Sequence, residues 1–162
     1  MSKTRLLGKT PVQLREIALS CGLPGYAGTQ IAQWLYKKKV RSIGEMTNLS
    51  KEFREKCKGL YTFTSLDTVR VQESAIDGTK KFLFALEDGN VVESVWMRYQ
   101  HGNSVCISSQ VGCCMGCSFC ASTLDGLERN LKPSEMLEQI YEITRQTGER
   151  VSNELRVFPT LY

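Results

Sequence analysis

No apolar run in this 162-residue chain approaches the length needed to cross a bilayer, which argues against a helical membrane protein. The N-terminal stretch MSKTRLLGKTPVQL lacks the long apolar core and small-residue cleavage site of a signal peptide. Internal repeats and low-complexity tracts are also missing, so repeat arrays and disordered linkers are not expected. An even cysteine set is lacking too: the seven cysteines are odd in number, bunched and without secretory context. That argues against a disulfide framework and for a reducing cytoplasm. Histidine occurs once, as His101, and reads as an exposed residue of the loop at 100–103. What remains is the composition of a soluble globular protein, 41% hydrophobic and 23% charged. The length suits one ordinary domain or two small ones.

The densest chemistry lies from Cys106 to Cys120, CISSQVGCCMGCSFC, which holds five of the seven cysteines. Cys113, Cys117 and Cys120 are spaced C-x3-C-x2-C. Thiolates so close in sequence converge on one point when the backbone between them turns tightly, and Gly112 and Gly116 permit such a turn. Soft sulfur donors suit zinc, copper or an iron–sulfur cluster. Structural zinc takes four protein ligands, usually from two separated pairs, whereas this pattern supplies three. A cubane cluster on three cysteines keeps one iron open for a small molecule, which is the sharper reading. A zinc loop or an inert cysteine cluster stays open, because spacing alone does not prove a metal.

The spacing, with Phe119 before the last cysteine, resembles the signature of radical S-adenosylmethionine enzymes. Cys106-Ile-Ser-Ser-Gln-Val-Gly-Cys113 precedes it, and Ala121-Ser-Thr, Gly126 and Arg129-Asn130-Leu131 follow. These flanks resemble the RlmN/Cfr family, whose members methylate adenosine in ribosomal RNA and in some cases transfer RNA. The resemblance is close from Glu93 to Leu131 and weaker towards the N-terminus. It implies a [4Fe-4S] cluster on Cys113, Cys117 and Cys120, with S-adenosyl-L-methionine at the open iron and near the Phe119 backbone. It also implies 23S rRNA and transfer RNA as partners, an electron donor such as flavodoxin or ferredoxin, and a cytoplasmic monomer with no membrane association. Glu93 matches the family's proton acceptor. Cys106 matches its resolving cysteine, which releases the protein–RNA adduct through a transient disulfide. Cys114 departs from the family pattern and is expected to be a bystander.

The expected target is C2 of adenosine, which lies between two ring nitrogens and is too electron-poor to attack a methylsulfonium, so a radical route is required. Methylation at C8 is the alternative. Two further readings remain: a nucleic-acid-binding module with a structural metal, and a different radical S-adenosylmethionine enzyme.

Taken in order, the chain reads as α+β. A small helical bundle and an antiparallel β-meander are followed by the opening βαβ unit of an incomplete radical S-adenosylmethionine partial barrel. The expected divisions are a helical RNA-binding part at 1–61, a meander at 62–98 and the start of the catalytic domain at 99–162. Thr10-Pro11-Val12-Gln13 predicts a capping box and a helix with Leu14, Ile17, Ala18 and Cys21 on one face, stopped at Gly22. Cys21 reads as a small core residue. A second helix is expected over 29–40 with Ile31, Trp34 and Leu35 buried. A third starts near Ser50 with Leu49, Phe53, Cys57 and Leu60 on one side. Lys37, Lys38, Lys39 and Arg41 form one basic cluster, and Lys51, Arg54, Lys56 and Lys58 another. They read as a solvated face or as phosphate contacts, and the resemblance favours RNA.

Asp77-Gly78 and Asp88-Gly89, between β-rich runs at 68–74, 80–86 and 90–97, predict hairpins. Glu93 then shares a face with Val91 and Val95, where desolvation would suit it to proton transfer; an exposed carboxylate is the alternative. A strand at 105–109 leads into the cysteine loop. A helix opening at Pro133 or Ser134 follows, with Met136, Leu137, Ile140, Tyr141 and Ile143 apolar and Gly148 at its end, and then a strand at 153–157. The family's Gly-Glu-Pro motif and its methyl-carrying cysteine have no counterpart here, and ELRVFPTLY leaves the family pattern. A gene fragment without methylating activity of its own is therefore expected.

Overall fold

The computed structural model describes residues 3–63 and 66–152, together with the backbone of residues 155–158. These belong to two compact units, Met1–Thr64 and Ser65–Tyr162.

The first unit opens with β1 (Thr4–Arg5), followed by α1 (Pro11–Ser20). The capping box forms as the sequence predicts: the Gln13 N–H donates to Thr10 Oγ1 at 3.3 Å, and the Thr10 N–H donates to Gln13 Oε1 at 2.9 Å. Replacing Thr10 with alanine is expected to cost about 1 kcal/mol, measured as a lower unfolding midpoint. An unchanged midpoint would mean that Pro11 alone sets the helix start.

The second helix, α2 (Tyr26–Ala32), begins earlier than predicted because the Ala27 N–H donates to the Pro24 carbonyl at 2.9 Å. It runs into a π-helical turn, Gln33–Lys37, and Lys39, at φ +53°, follows it. Leu14, Ala18, Ile31 and Leu35 are buried. A Cβ on Gly28 would stand 2.5 Å from Arg15 Cα, so only glycine allows α2 to approach α1 so closely. Trp34 is half-buried rather than buried, since the Lys38 ammonium stands 3.6 Å over its ring and its indole N–H donates to Asn48.

Ser50 caps α3 (Lys51–Leu60) by accepting from the Phe53 N–H at 3.3 Å. Leu49, Phe53 and Cys57 are buried, but Leu60 is 49% exposed. Leu60 is the last helical residue, and the chain turns away there into β2 (Tyr61–Thr62), which pairs parallel with β1.

The second unit is built on one sheet. β3 (Leu66–Glu73), β4 (Lys80–Leu86), β5 (Val91–Tyr99) and β6 (Gly102–Ser108) form a continuous antiparallel run. The first two turns carry the predicted Asp-Gly pairs. Asp77 accepts from the Thr79 N–H at 3.0 Å and Asp88 from the Asn90 N–H at 3.1 Å, the local bonding that makes aspartate a turn residue. After β6 come a short hairpin of β7 (Gln110–Gly112) and β8 (Leu127–Asn130), then α4 (Pro133–Thr147) and β9 (Leu155–Phe158). β9 pairs parallel with β6, which makes the βαβ unit. Gly148, at φ +68°, closes α4. The expectations for Asn153 and for the tail beyond Phe158 lie outside the described residues.

The core of this unit includes Phe82, Phe84, Val92, Trp96, Val105, Ile107 and Ile143. The apolar side of α4 packs as expected, with Ile143 in the core and Met136 and Ile140 packed against it, but it is not the only buried side. Tyr141 and Ile143 are buried, but so are Glu135, Glu138, Gln139 and Glu142. They have polar partners: Gln139 meets Ser94 and the backbone of Ser108, Glu135 meets Arg129, and Glu142 meets Arg145. Among the described residues no helix is long and apolar enough to cross a membrane.

Candidate functional site

Strand register places the two candidate catalytic residues. Val95 pairs with Cys106 across β5 and β6. Side chains two apart on a strand share a face, so Glu93 and Cys106 lie on the same face of the sheet, at diagonal positions. The opposite face carries Val92, Ser94, Trp96, Val105 and Ile107, all buried. Cys106 is itself 4% exposed, held in the middle of the sheet between β5 and β9.

Glu93 does share its face with Val91 and Val95, but that face is exposed at the Val91 and Glu93 end, while Val95 is half-buried and Cys106 is buried. The Glu93 side chain is 56% exposed and pairs with Lys81 Nζ at 3.2 Å, and Val91 is 46% exposed. Alternation along a strand tells which residues share a face, not which face is covered. An exposed ion pair of this kind contributes roughly 0–1 kcal/mol.

The cysteine loop leaves the end of β6, and the residues on either side of it bind one another. Ser108 Oγ donates to the Glu93 carbonyl at 2.7 Å. The Leu131 N–H donates to the Ser109 carbonyl at 2.7 Å, and Gln110 Nε2 donates to Asn130 Oδ1 at 2.8 Å. Arg129 donates to both oxygens of Glu135, at 2.9 and 3.1 Å, and also to Asp88 at 2.7 Å. Glu135 first, and Asp88 with it, push the Arg129 guanidinium above its ordinary pKa against the opposing effect of burial. The Ser-Ser-Gln and Arg-Asn-Leu stretches are thus the two walls of the loop's base.

Gly112 seals that base. A Cβ there would stand 1.9 Å from the Gly126 carbonyl oxygen, which accepts the Cys113 N–H at 3.0 Å. Inside the loop the Cys120 N–H donates to the Cys117 carbonyl at 3.1 Å. The Thr123 hydroxyl lies 3.1 Å from the Cys117 carbonyl and 2.9 Å from that of Cys120. The Met115 N–H donates to Cys113 Sγ at 3.5 Å.

All seven cysteines are free thiols. Cys113 is buried, Cys117 and Cys120 are half-buried, and Cys114 is exposed. The donor set fits a group held by three thiolates, on one loop that is closed at its base. The three side chains are not gathered into a finished site: among the described residues no three His, Cys, Asp or Glu side chains stand close enough to hold a metal ion. Phe119 is 92% exposed. His101 is exposed in its loop, as expected, and stacks on Tyr99 with ring centroids 5.3 Å apart.

Cys21 and Cys57 belong to the first unit. Burial, followed by the nearby Cys21, pushes the Cys57 thiol up to about 12, so it remains a protonated core thiol. Cys21 lies 3.8 Å from the Tyr61 hydroxyl. In the basic clusters, Arg54 donates to the Gly44 carbonyl at 2.9 Å and Lys58 to Glu55 at 2.7 Å. Lys37 and Lys38 of the first cluster and Lys51 and Lys56 of the second are exposed.

Sequence inspection gave no role to Gln139, Glu135, Arg129 or Thr123.

Residues 4–62 match the family described as the ribosomal RNA large subunit methyltransferase N-terminal domain. A relative from Lachnospira eligens, named probable dual-specificity RNA methyltransferase RlmN, is 61% identical over 124 residues, covering 76% of this chain and 35% of that protein. A relative of the same name from Alkaliphilus oremlandii is 48% identical over 153 residues, covering 94% of this chain and 44% of that protein. The crystal structure of a radical SAM methyltransferase from Sphaerobacter thermophilus superposes with a TM-score of 0.83 at 36% identity, covering 93% of this chain and 45% of that one. The chain thus spans less than half the length of these relatives.

Proposed function

Because the chain belongs to the RlmN family, matching the N-terminal part of its members, we propose that it supplies the cysteine loop and the RNA-facing part of a radical S-adenosylmethionine RNA methyltransferase. The substrates are adenosine of 23S rRNA and of transfer RNA, methylated at C2 in the cytoplasm. In this reading β6, α4 and β9 begin a partial barrel. The observation that carries the proposal is the placement of Glu93 and Cys106 on one sheet face, beside the strand end from which the cysteine loop departs.

Cys113, Cys117 and Cys120 would hold a [4Fe-4S] cluster, with S-adenosylmethionine bound beside it near Phe119. When bound, the cluster supplies one electron, received from a flavodoxin- or ferredoxin-type donor, for reductive cleavage of S-adenosylmethionine. The chain's own residues do the rest of what is assigned here. Glu93, more than half exposed and paired with Lys81, accepts the ring proton of an adenine lying on its face. Cys106 presents a thiol on that face; it would form a disulfide with the methyl-carrying cysteine supplied by the rest of the protein as the bond from that sulfur to the RNA-bound carbon breaks. Free thiols throughout suit a reducing compartment.

The test joins residues 1–152 to the remainder of the Alkaliphilus oremlandii relative and measures methyladenosines in treated 23S rRNA and transfer RNA by mass spectrometry. The expected product is 2-methyladenosine, abolished by Glu93→Ala or Cys106→Ala. Formation of 8-methyladenosine would replace the C2 assignment, and product unaffected by either substitution would overturn the assigned roles.

RNA binding by the first unit carries its own prediction. Replacing Lys37, Lys38 and Lys39 with glutamine is expected to reduce the slope of log affinity against log salt by roughly two to three, since each lost phosphate contact releases fewer counterions. An unchanged slope would make these lysines ordinary solvated surface.

A further inference from the structure

One side of α4 holds both ends of the cysteine loop. Gln139 is fully buried, and its carboxamide takes hold of Ser108, the last residue of β6. Oε1 accepts from the Ser108 N–H at 2.9 Å, and Nε2 donates to the Ser108 carbonyl at 3.0 Å. Oε1 also accepts from Ser94 Oγ at 2.7 Å, and Nε2 lies 3.2 Å from the Glu135 carbonyl. One helical turn earlier, Glu135 is 1% exposed and holds Arg129 on the returning strand β8. It also accepts from the Lys132 N–H at 2.8 Å.

An apolar side chain of similar volume would fill the space at position 139 without the desolvation that a buried amide suffers. What the carboxamide adds is direction. It binds both peptide groups of one residue and so fixes the plane in which the backbone leaves the sheet. Two further consequences follow from that seat. The Ser108 hydroxyl donates to the Glu93 carbonyl, so the backbone of the candidate proton acceptor is tied to the same point. The next residue, Ser109, receives Leu131 from the returning strand, so the register of the loop's base depends on where Ser108 sits.

We propose that Gln139 is a positioning residue: through Ser108 it sets the departure of the cysteine loop relative to Glu93 and Cys106, while Glu135 and Arg129 set its return. This rests on the reading of the loop as a cluster site. Fixing the ligands of a metal centre through the groups around them is a general device, and its loss typically costs 10- to 100-fold in metal affinity.

Two variants test it. Gln139→Met keeps the approximate volume and removes all the polar contacts. Gln139→Glu keeps the acceptor contacts to Ser108 N–H and Ser94 and loses the donors. Two readouts are taken. One is the rate of iron loss to a chelator after anaerobic reconstitution. The other is the rate of iodoacetamide alkylation of Cys113 relative to Cys106 in the metal-free chain. Gln139→Met is expected to lose iron roughly 10- to 100-fold faster than the parent and to alkylate faster at Cys113 with Cys106 unchanged. Gln139→Glu should fall between the two.

Parent-like iron release in both variants, or Cys106 opening in step with Cys113, would overturn the proposal and make Gln139 a packing residue. If the parent holds no iron, the cluster reading fails, and the alkylation ratio then decides alone. A raised Cys113 ratio upholds the hold of Gln139 on the loop, and an unchanged ratio ends it.

Discussion

Replacing any one of Cys113, Cys117 or Cys120 with alanine is expected to abolish stable iron binding, while Cys114→Ala leaves it close to the parent value. A cubane on three thiolates has one open iron; removal of a ligand leaves two, and the group is no longer held. The loss should exceed the roughly 10- to 100-fold seen when only supporting residues around a metal are changed. Cys114 is adjacent in sequence to Cys113 but exposed, whereas Cys113 is buried at the base of the loop. The two differ further in that Cys113 accepts from the Met115 N–H. Anaerobic reconstitution followed by iron and sulfide analysis of each variant measures this. Full iron and sulfide in any of the three single variants would remove that cysteine from the ligand set.

Gly112→Ala is expected to open the loop base and to destabilise the second unit by about 2–4 kcal/mol. Two effects add. The residue sits at φ +73°, where a side chain costs roughly 1–2 kcal/mol. The new Cβ would also stand 1.9 Å from a backbone oxygen, which has no flexible end that can swing away. That oxygen belongs to Gly126 and holds the Cys113 N–H, so relieving the clash displaces the first cysteine. Gly116→Ala is the matched control. It has φ +66° but nothing within 4 Å of its Cβ position, so only the conformational strain applies. Urea unfolding and iron retention of the two variants should separate clearly. Equal losses would show that positive φ, and not the approach of the two backbones, is what Gly112 provides.

Much of the fold was legible because the signals are local. The capping box at Thr10 and Gln13, the helix start near Ser50, the two Asp-Gly turns and the glycine that ends α4 each act within a few residues, and each appears where the sequence places it. What was not legible depends on packing across distance. The alternation around Glu93 could not say which sheet face α4 would cover, and the uncovered face is the one that carries Glu93. The apolar positions on α4 gave no warning that Glu135 and Gln139 would be buried more deeply than Met136, Leu137 or Ile140. Gln139 meets the polar groups at the end of β6, 31 residues away in sequence, and Glu135 meets Arg129 on β8. The cysteine motif and its flanks mark the candidate site, yet the way the flanks meet is visible only in three dimensions, where Ser108, Ser109 and Gln110 meet Gln139, Leu131 and Asn130.

The central claim is that three thiolates of one loop hold an iron–sulfur cluster. Its most direct measurement is the metal and acid-labile sulfide content of the chain after anaerobic reconstitution with iron and sulfide, with zinc present as a competitor. The account predicts iron and sulfide in equal amounts, retained through gel filtration. Zinc retained without sulfide would contradict it and would leave a nucleic-acid-binding module built around a structural metal.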